Sequence, residues 1–150
     1  MKGEVRKYVL IDTCFWIALF KPTDPFHNNA KEILAQIDRF YFRLPWPTLY
    51  EFINTRLVAT PSRLAQFARV MASPGIIRED DTKYRERSLR ISIERTSSDL
   101  ALSLTDSVIR LMAEDRDLRV DYLVSYDNDL RASIAPNRGI EILPTQMPLL

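Results

Sequence analysis

The most constraining feature of this chain is Tyr8-Val9-Leu10-Ile11, a short unbroken apolar run that stops at Asp12. A continuous apolar strand is the pattern of the interior of a parallel sheet, where both faces are covered, rather than of a half-solvated antiparallel one. The rest of the chain repeats that logic. Thr13 to Phe20 reads as a helix, Lys21 to Pro25 as a turn, and Ala30, Ile33, Leu34 and Ile37 recur at helical spacing. Phe42 to Trp46 predicts a second strand, with Pro47 in the first turn of a helix carrying Phe52, Ile53, Leu57 and Val58. Pro61 opens another helix, to about Ala72, and the Pro74-Gly75 turn leads into Ile76-Ile77, a short third strand. A charged, helical segment comes next, then an amphipathic helix from Thr105 to about Arg116 with Val108, Ile109 and Met112 on one side. Tyr122 to Tyr126 and Ile140 to Leu143 predict the last two strands.

Strands separated by helical stretches, with no two-residue hairpin signals, imply crossover connections. The expected class is α/β, a three-layer α/β/α domain around a mostly parallel sheet of four to five strands. At 150 residues the chain fits one such domain, residues 1–150.

Composition excludes several chemistries. Three glycines, Gly3, Gly75 and Gly139, are too few and too scattered for a P-loop or a Rossmann fingerprint. One cysteine, Cys14, leaves no intramolecular disulfide and too few soft ligands for structural zinc, which points to a reducing, cytoplasmic setting. His27 lies in a polar Pro-Phe-His-Asn-Asn segment and suits a surface or helix-start position, so a serine or cysteine triad lacks its base. Lys2, Arg6 and Lys7 before the stretch Tyr8 to Phe20 imitate a signal peptide, but Asp12 interrupts it and no small-residue cleavage site comes after it. No apolar run approaches the roughly 20 residues of a membrane span. A net charge of +1 offers no global attraction to a polyanion, so any nucleic-acid contact must be local.

In an open parallel sheet, ligands bind beyond the carboxyl ends of the strands. In this chain acids occupy that edge. Asp12 and Asp127 follow strands, while Glu51 and Asp106 lie near the starts of helices, and those helices begin at the same edge. Each acid has a plain structural explanation. Asp12 caps a helix, Glu51 stands three residues after Thr48 at capping-box spacing, Asp106 favours a first helical turn, and Asp127 suits a turn into a helix. Capping does not explain convergence. Like charges crowded at one partly desolvated edge require a cation or shared protons. Oxygen-only donors without histidine or cysteine suit Mg²⁺ or Mn²⁺, which keep waters and accept phosphate oxygens, so the chemistry expected is phosphoryl transfer to a water activated by metal. The residues do not say which acid orients that water.

The strings Val-Leu-Ile-Asp12-Thr-Cys-Phe-Trp, Pro-Thr48-Leu-Tyr-Glu51, Leu-Thr-Asp106-Ser and Leu-Val-Ser-Tyr-Asp127-Asn-Asp-Leu resemble, in order and spacing, the acidic motifs of PIN-domain nucleases. The resemblance spans essentially the whole chain and is nearest to VapC-type toxins of toxin–antitoxin pairs. It implies a Mg²⁺- or Mn²⁺-dependent endoribonuclease acting on RNA, a homodimer, and silencing by an antitoxin segment in the active-site groove. Asp12, Glu51, Asp106 and Asp127 would be its catalytic and metal-binding acids, supported by the hydroxyls of Thr13 and Ser125. Ser125 stands where the family often has threonine and Cys14 where it often has serine. Asp129 competes with Asp127 as the fourth acid. The alternatives are a silent PIN-like scaffold binding RNA or protein, and an RNA-processing PIN nuclease that is not a toxin. A receiver domain or an aspartate-nucleophile phosphatase fits poorly, because the first strand ends Asp12-Thr13-Cys14 rather than in paired acids or Asp-x-Asp.

Two surface features remain. Lys83, Arg85, Arg87, Arg90 and Arg95 are interleaved with Glu79, Asp80, Asp81, Glu86 and Glu94, the pattern of a solvated helix with local ion pairs rather than an RNA patch. Trp16, Trp46, Tyr50 and Tyr126 adjoin motif residues and are expected in the core, with base stacking the alternative role.

Overall fold

The computed structural model describes residues 5–97 and 99–147; Lys2 and Gly3 lie outside them. The elements run in the order β1 (Lys7–Ile11), α1 (Thr13–Phe20), α2 (His27–Leu34), β2 (Phe40–Pro45), α3 (Trp46–Ile53), α4 (Pro61–Met71), β3 (Ile76–Glu79), α5 (Thr82–Glu94), α6 (Leu104–Glu114), β4 (Tyr122–Val124), α7 (Asn128–Ser133) and β5 (Glu141–Leu143), with 3-10 turns at Arg56–Val58 and Pro136–Arg138. The five strands form one sheet in the order β3-β2-β1-β4-β5, and every pair is parallel. This is the expected three-layer α/β/α architecture.

Alternation along the strands divides the core in two. Val9 and Ile11 face the same way as their register partners Phe42 and Val124, and bury against Phe15, Trp16, Phe52 and Phe67. Leu10 and its partner Leu123 face the opposite layer, against Val108, Ile109, Met112 and Leu130. A central strand buried on both faces must be apolar at every position, which accounts for the unbroken run that ends at Ile11. Helix α1, Thr-Cys-Phe-Trp-Ile-Ala-Leu-Phe, is apolar nearly all round because it too is buried, with Phe15, Trp16 and Ala18 fully enclosed.

Several boundaries differ from the expected ones, each for a local reason. Strand β2 begins at Phe40 and ends at Pro45, because Trp46 already belongs to α3, where Pro47 occupies the first turn. Strand β3 extends to Glu79, since Arg78 and Glu79 pair in register with Leu44 and Pro45 and Glu79 forms an ion pair with Arg43. Strand β4 stops at Val124; the Tyr126 N–H goes to Cys14 Sγ at 3.1 Å instead of to a strand. His27 opens α2, with Nδ1 2.8 Å from the Ala18 carbonyl oxygen, which ties the start of α2 to α1. Among the described residues no helix is long and apolar enough to cross a membrane.

The strand order reverses direction at β1: chain connections run outward through β2 and β3 on one side and through β4 and β5 on the other. The carboxyl ends of β1 and β4, adjacent strands on either side of that reversal, frame the crevice where open α/β sheets bind ligands.

Candidate functional site

Asp12 terminates β1 and caps α1. Its Oδ1 accepts the Thr13 N–H at 2.7 Å, and its Oδ2 accepts the Ser125 hydroxyl at 2.8 Å and the Cys14 thiol at 3.2 Å. The side chain is enclosed, with the residue 4% exposed. Burial pushes its carboxyl up to about 6 from the usual 3.8, against the pull of the Ser125 and Cys14 hydrogen bonds, and the neighbouring Asp106 charge adds to the rise. Ser125 in turn accepts the Asp127 N–H on its Oγ at 3.1 Å, so one hydroxyl ties the end of β4 to the acid at the end of β1.

Glu51 is not the capping-box partner of Thr48. The Thr48 hydroxyl is buried and donates to the Pro45 carbonyl at 2.7 Å, and the helix start at Pro45 has no side-chain cap. Glu51 lies in the second turn of α3 and is held from two sides. Its Oε2 accepts the Thr13 hydroxyl at 2.7 Å and its Oε1 the Thr105 hydroxyl at 2.5 Å. The first hydroxyl adjoins Asp12 and the second adjoins Asp106, so Glu51 bridges the two.

Asp106 occupies the third position of α6 in a complete capping box with Ser103: its N–H donates to Ser103 Oγ and its Oδ2 accepts the Ser103 N–H, each at 3.1 Å. It is half-buried, and its carboxyl is raised by burial first, with the charges of Asp127 and Glu51 contributing. Asp127 caps α7, its Oδ1 accepting the N–H groups of Asp129 at 2.8 Å and Leu130 at 3.0 Å. Asp129 is exposed in the first turn of that helix.

The structure thus brings Asp12, Glu51, Asp106 and Asp127 to one edge, with the Thr13 hydroxyl on Glu51 and the Ser125 hydroxyl on Asp12. Thr105 is a support that sequence reasoning did not single out; nothing local distinguishes it from the neighbouring hydroxyls of α6. Among the described residues none of the four acids belongs to an ion pair with lysine or arginine. Three of them also cap helices, so capping and convergence coexist.

The donor set suits a hard cation. Among the described residues no three His, Cys, Asp or Glu side chains form a ready-made metal cage. Mg²⁺ does not require one, since it is commonly held by one or two carboxylates together with waters and phosphate oxygens. Asp106 Oδ1 and Asp127 Oδ2 accept no hydrogen bond within the described residues, which leaves acceptors free at the place where uncompensated negative charge is concentrated.

Cys14 is tied into the same network. Its thiol lies between Asp12 and the Tyr126 N–H, and burial, followed by the Asp12 charge, pushes its ionisation far above the ordinary range. Alkylation by iodoacetamide at pH 8 is therefore expected to be much slower for the folded protein than for the same chain in urea; equal rates would show that the thiol is not engaged by Asp12.

No family model matches the chain. Among curated proteins it is 34% identical over 95 residues to the 23.6 kDa mitochondrial heat shock protein of Oryza sativa subsp. japonica, covering 61% of this chain. The aligned region spans 42% of that protein's length, so the match carries no family assignment. Among solved structures it is similar to VapC20 of Mycobacterium tuberculosis, a sarcin-ricin loop cleaving toxin, with a TM-score of 0.65 at 19% identity, over 83% of this chain and 94% of that one. The fold of this chain is therefore the three-layer α/β/α, VapC-like PIN fold.

Proposed function

We propose that the chain is a divalent-metal-dependent endoribonuclease and the toxin of a toxin–antitoxin pair, working in the cytoplasm as a homodimer that an antitoxin silences. The observation that carries this reading is the set of four carboxylates at the strands' carboxyl edge, with Asp12 enclosed, shifted to about 6 and, among the described residues, in no ion pair with a cationic side chain. A site that must carry unpaired carboxylates in a partly desolvated place is one prepared for a cation, because otherwise their repulsion is a pure cost.

Asp12, Asp106 and Asp127 are the residues proposed to hold Mg²⁺ or Mn²⁺, with Glu51 completing the set. The ion, when bound, supplies Lewis-acid stabilisation of a phosphoryl group and acidifies coordinated water. The remaining work falls to the chain itself. Ser125 and the Thr13 N–H fix the Asp12 rotamer, the Thr13 and Thr105 hydroxyls aim Glu51, and the Ser103 capping box orients Asp106. Locking each carboxylate by a neighbour's hydrogen bond is how such sites hold their geometry before substrate arrives. One of the four carboxylates would accept a proton from an attacking water.

The test is incubation of the purified protein with structured RNA, beginning with a stem–loop of the sarcin-ricin type that VapC20 cleaves. Cleavage is expected with Mg²⁺ or Mn²⁺ and not with EDTA, and Asp106→Asn is expected to remove it while circular dichroism stays that of the wild type. A protein that neither cuts RNA nor binds Mn²⁺ by calorimetry would refute the nuclease reading and leave a PIN-like binding scaffold.

A further inference from the structure

The four aromatic residues next to the acidic motifs separate into two kinds. Trp16 and Tyr126 are core residues, Trp16 wholly enclosed and Tyr126 stacked on Phe26 at 4.3 Å. Trp46 and Tyr50 are not, contrary to the expectation from sequence: they are 39% and 65% exposed. They stand four residues apart on α3, so they share a face, and their ring centroids lie 6.0 Å apart at a 35° tilt. Large aromatic side chains that open to solvent side by side lose the burial that usually stabilises them.

Their position ties them to the acids. Tyr50 directly precedes Glu51, and the five residue steps from Trp46 to Glu51 rise about 7.5 Å along the helix, close to two base steps of a nucleic-acid strand. From Pro47, the residue after Trp46, a cleft of about 270 Å³ runs past Leu89, Leu104 and Thr105, with Arg85 and the carboxylates of Asp81 and Glu86 also on its wall. Thr105 on that wall is the residue whose hydroxyl holds Glu51. Arg85 lies on the cleft wall and is anchored on α5 by Asp81. Its Nε and Nη2 bind Asp81 at 2.9 Å each, and its Nη1 makes no hydrogen bond among the described residues, leaving donors for a phosphate.

We propose that Trp46 and Tyr50 form a stacking platform for unpaired bases of the RNA strand next to the scissile phosphate, with Arg85 contacting the neighbouring backbone. This rests on the nuclease reading above and specifies its substrate: a single-stranded or looped-out segment, since paired bases do not present free faces. Planar aromatic surfaces stack on any base, so the platform selects strandedness and position rather than base identity.

The test uses a short fluorescein-labelled RNA of mixed sequence, single-stranded or annealed to its complement. Binding is followed in EDTA by anisotropy and by tryptophan emission, and cleavage kinetics are followed in Mg²⁺. The single strand is expected to bind and to change the emission of Trp46, a response absent from Trp46→Phe, which retains only the enclosed Trp16. Trp46→Ala and Tyr50→Ala are each expected to weaken binding and raise KM on the order of tenfold or more with kcat nearly kept, while Trp46→Phe keeps most of the affinity. Unchanged affinity in both alanine variants would overturn the platform and leave the nuclease reading standing. Loss of self-association in sedimentation, with RNA affinity intact, would overturn it in favour of a second copy of the chain on this face. Neither binding nor cleavage of any strand by the wild type would refute both readings.

Discussion

Asp12→Asn is expected to reduce metal-dependent RNA cleavage by about a hundredfold or more while making the metal-free protein more stable above pH 6. The two effects have one origin. Folding encloses the Asp12 carboxyl and raises it to about 6, whereas the unfolded chain releases that proton near 3.8. Between those values the folded state binds more protons than the unfolded one, so the stability contributed by protonated Asp12 is complete below the lower value and is lost as pH rises through the upper. At pH 7 to 8 the enclosed charge costs about 2–3 kcal/mol in the absence of a cation. Asparagine keeps an oxygen for the Thr13 N–H and remains a good helix cap, but carries no charge to desolvate. Urea unfolding of both proteins in EDTA from pH 3.5 to 8 should therefore show the curves together at the acid end and the variant ahead at the alkaline end. Added Mn²⁺ should raise the wild-type curve and leave the variant nearly unmoved. A variant less stable than wild type at pH 8, or one that still cuts RNA, would contradict the role given to Asp12.

The other large effect is in the core. Phe52→Ala is expected to cost about 3–5 kcal/mol, a sizeable part of the stability of a domain of this size. Phe52 is fully enclosed, with ring centroids 6.0 Å from Trp16, 5.3 Å from Phe20 and 5.2 Å from Phe67. Those rings come from α1 and α4 and Phe52 itself from α3, so truncation opens a cavity where three helices meet. Phe52 also comes directly after Glu51, and the helix it anchors presents that acid to Thr13 and Thr105. Activity should fall at temperatures where the variant is still folded, with kcat affected more than KM. A urea midpoint close to that of the wild type would mean that the neighbouring rings close over the gap.

The parallel sheet was legible in the amino-acid order because it leaves a local trace. An apolar run with no alternation, as in Tyr8 to Ile11, is the signature of a strand covered on both sides, and helical spacing between such runs implies crossovers. Helix α6 and the two core layers were legible for the same reason. Strand ends were less so: β2, β3 and β4 stop where a partner's hydrogen bond is or is not available, and that partner lies far along the chain. The acids were visible as residues that follow strands or open helices, and their grouping came from the rule that antiparallel helices start where parallel strands end.

Periodicity and chain order are properties of the amino-acid string, and they suffice for the three-layer α/β/α class and for the edge at which Asp12, Glu51, Asp106 and Asp127 gather. The folded chain was needed to show that Glu51 points to Thr13 and Thr105 rather than closing a cap with Thr48. It was needed as well to show that Asp127 caps α7 while Asp129 is exposed in its first turn, and that Trp16 is enclosed while Trp46 and Tyr50 face solvent. Side-chain direction and exposure are set by which surfaces meet across the fold, and two chemically identical tryptophans carry no local mark of which one will be covered.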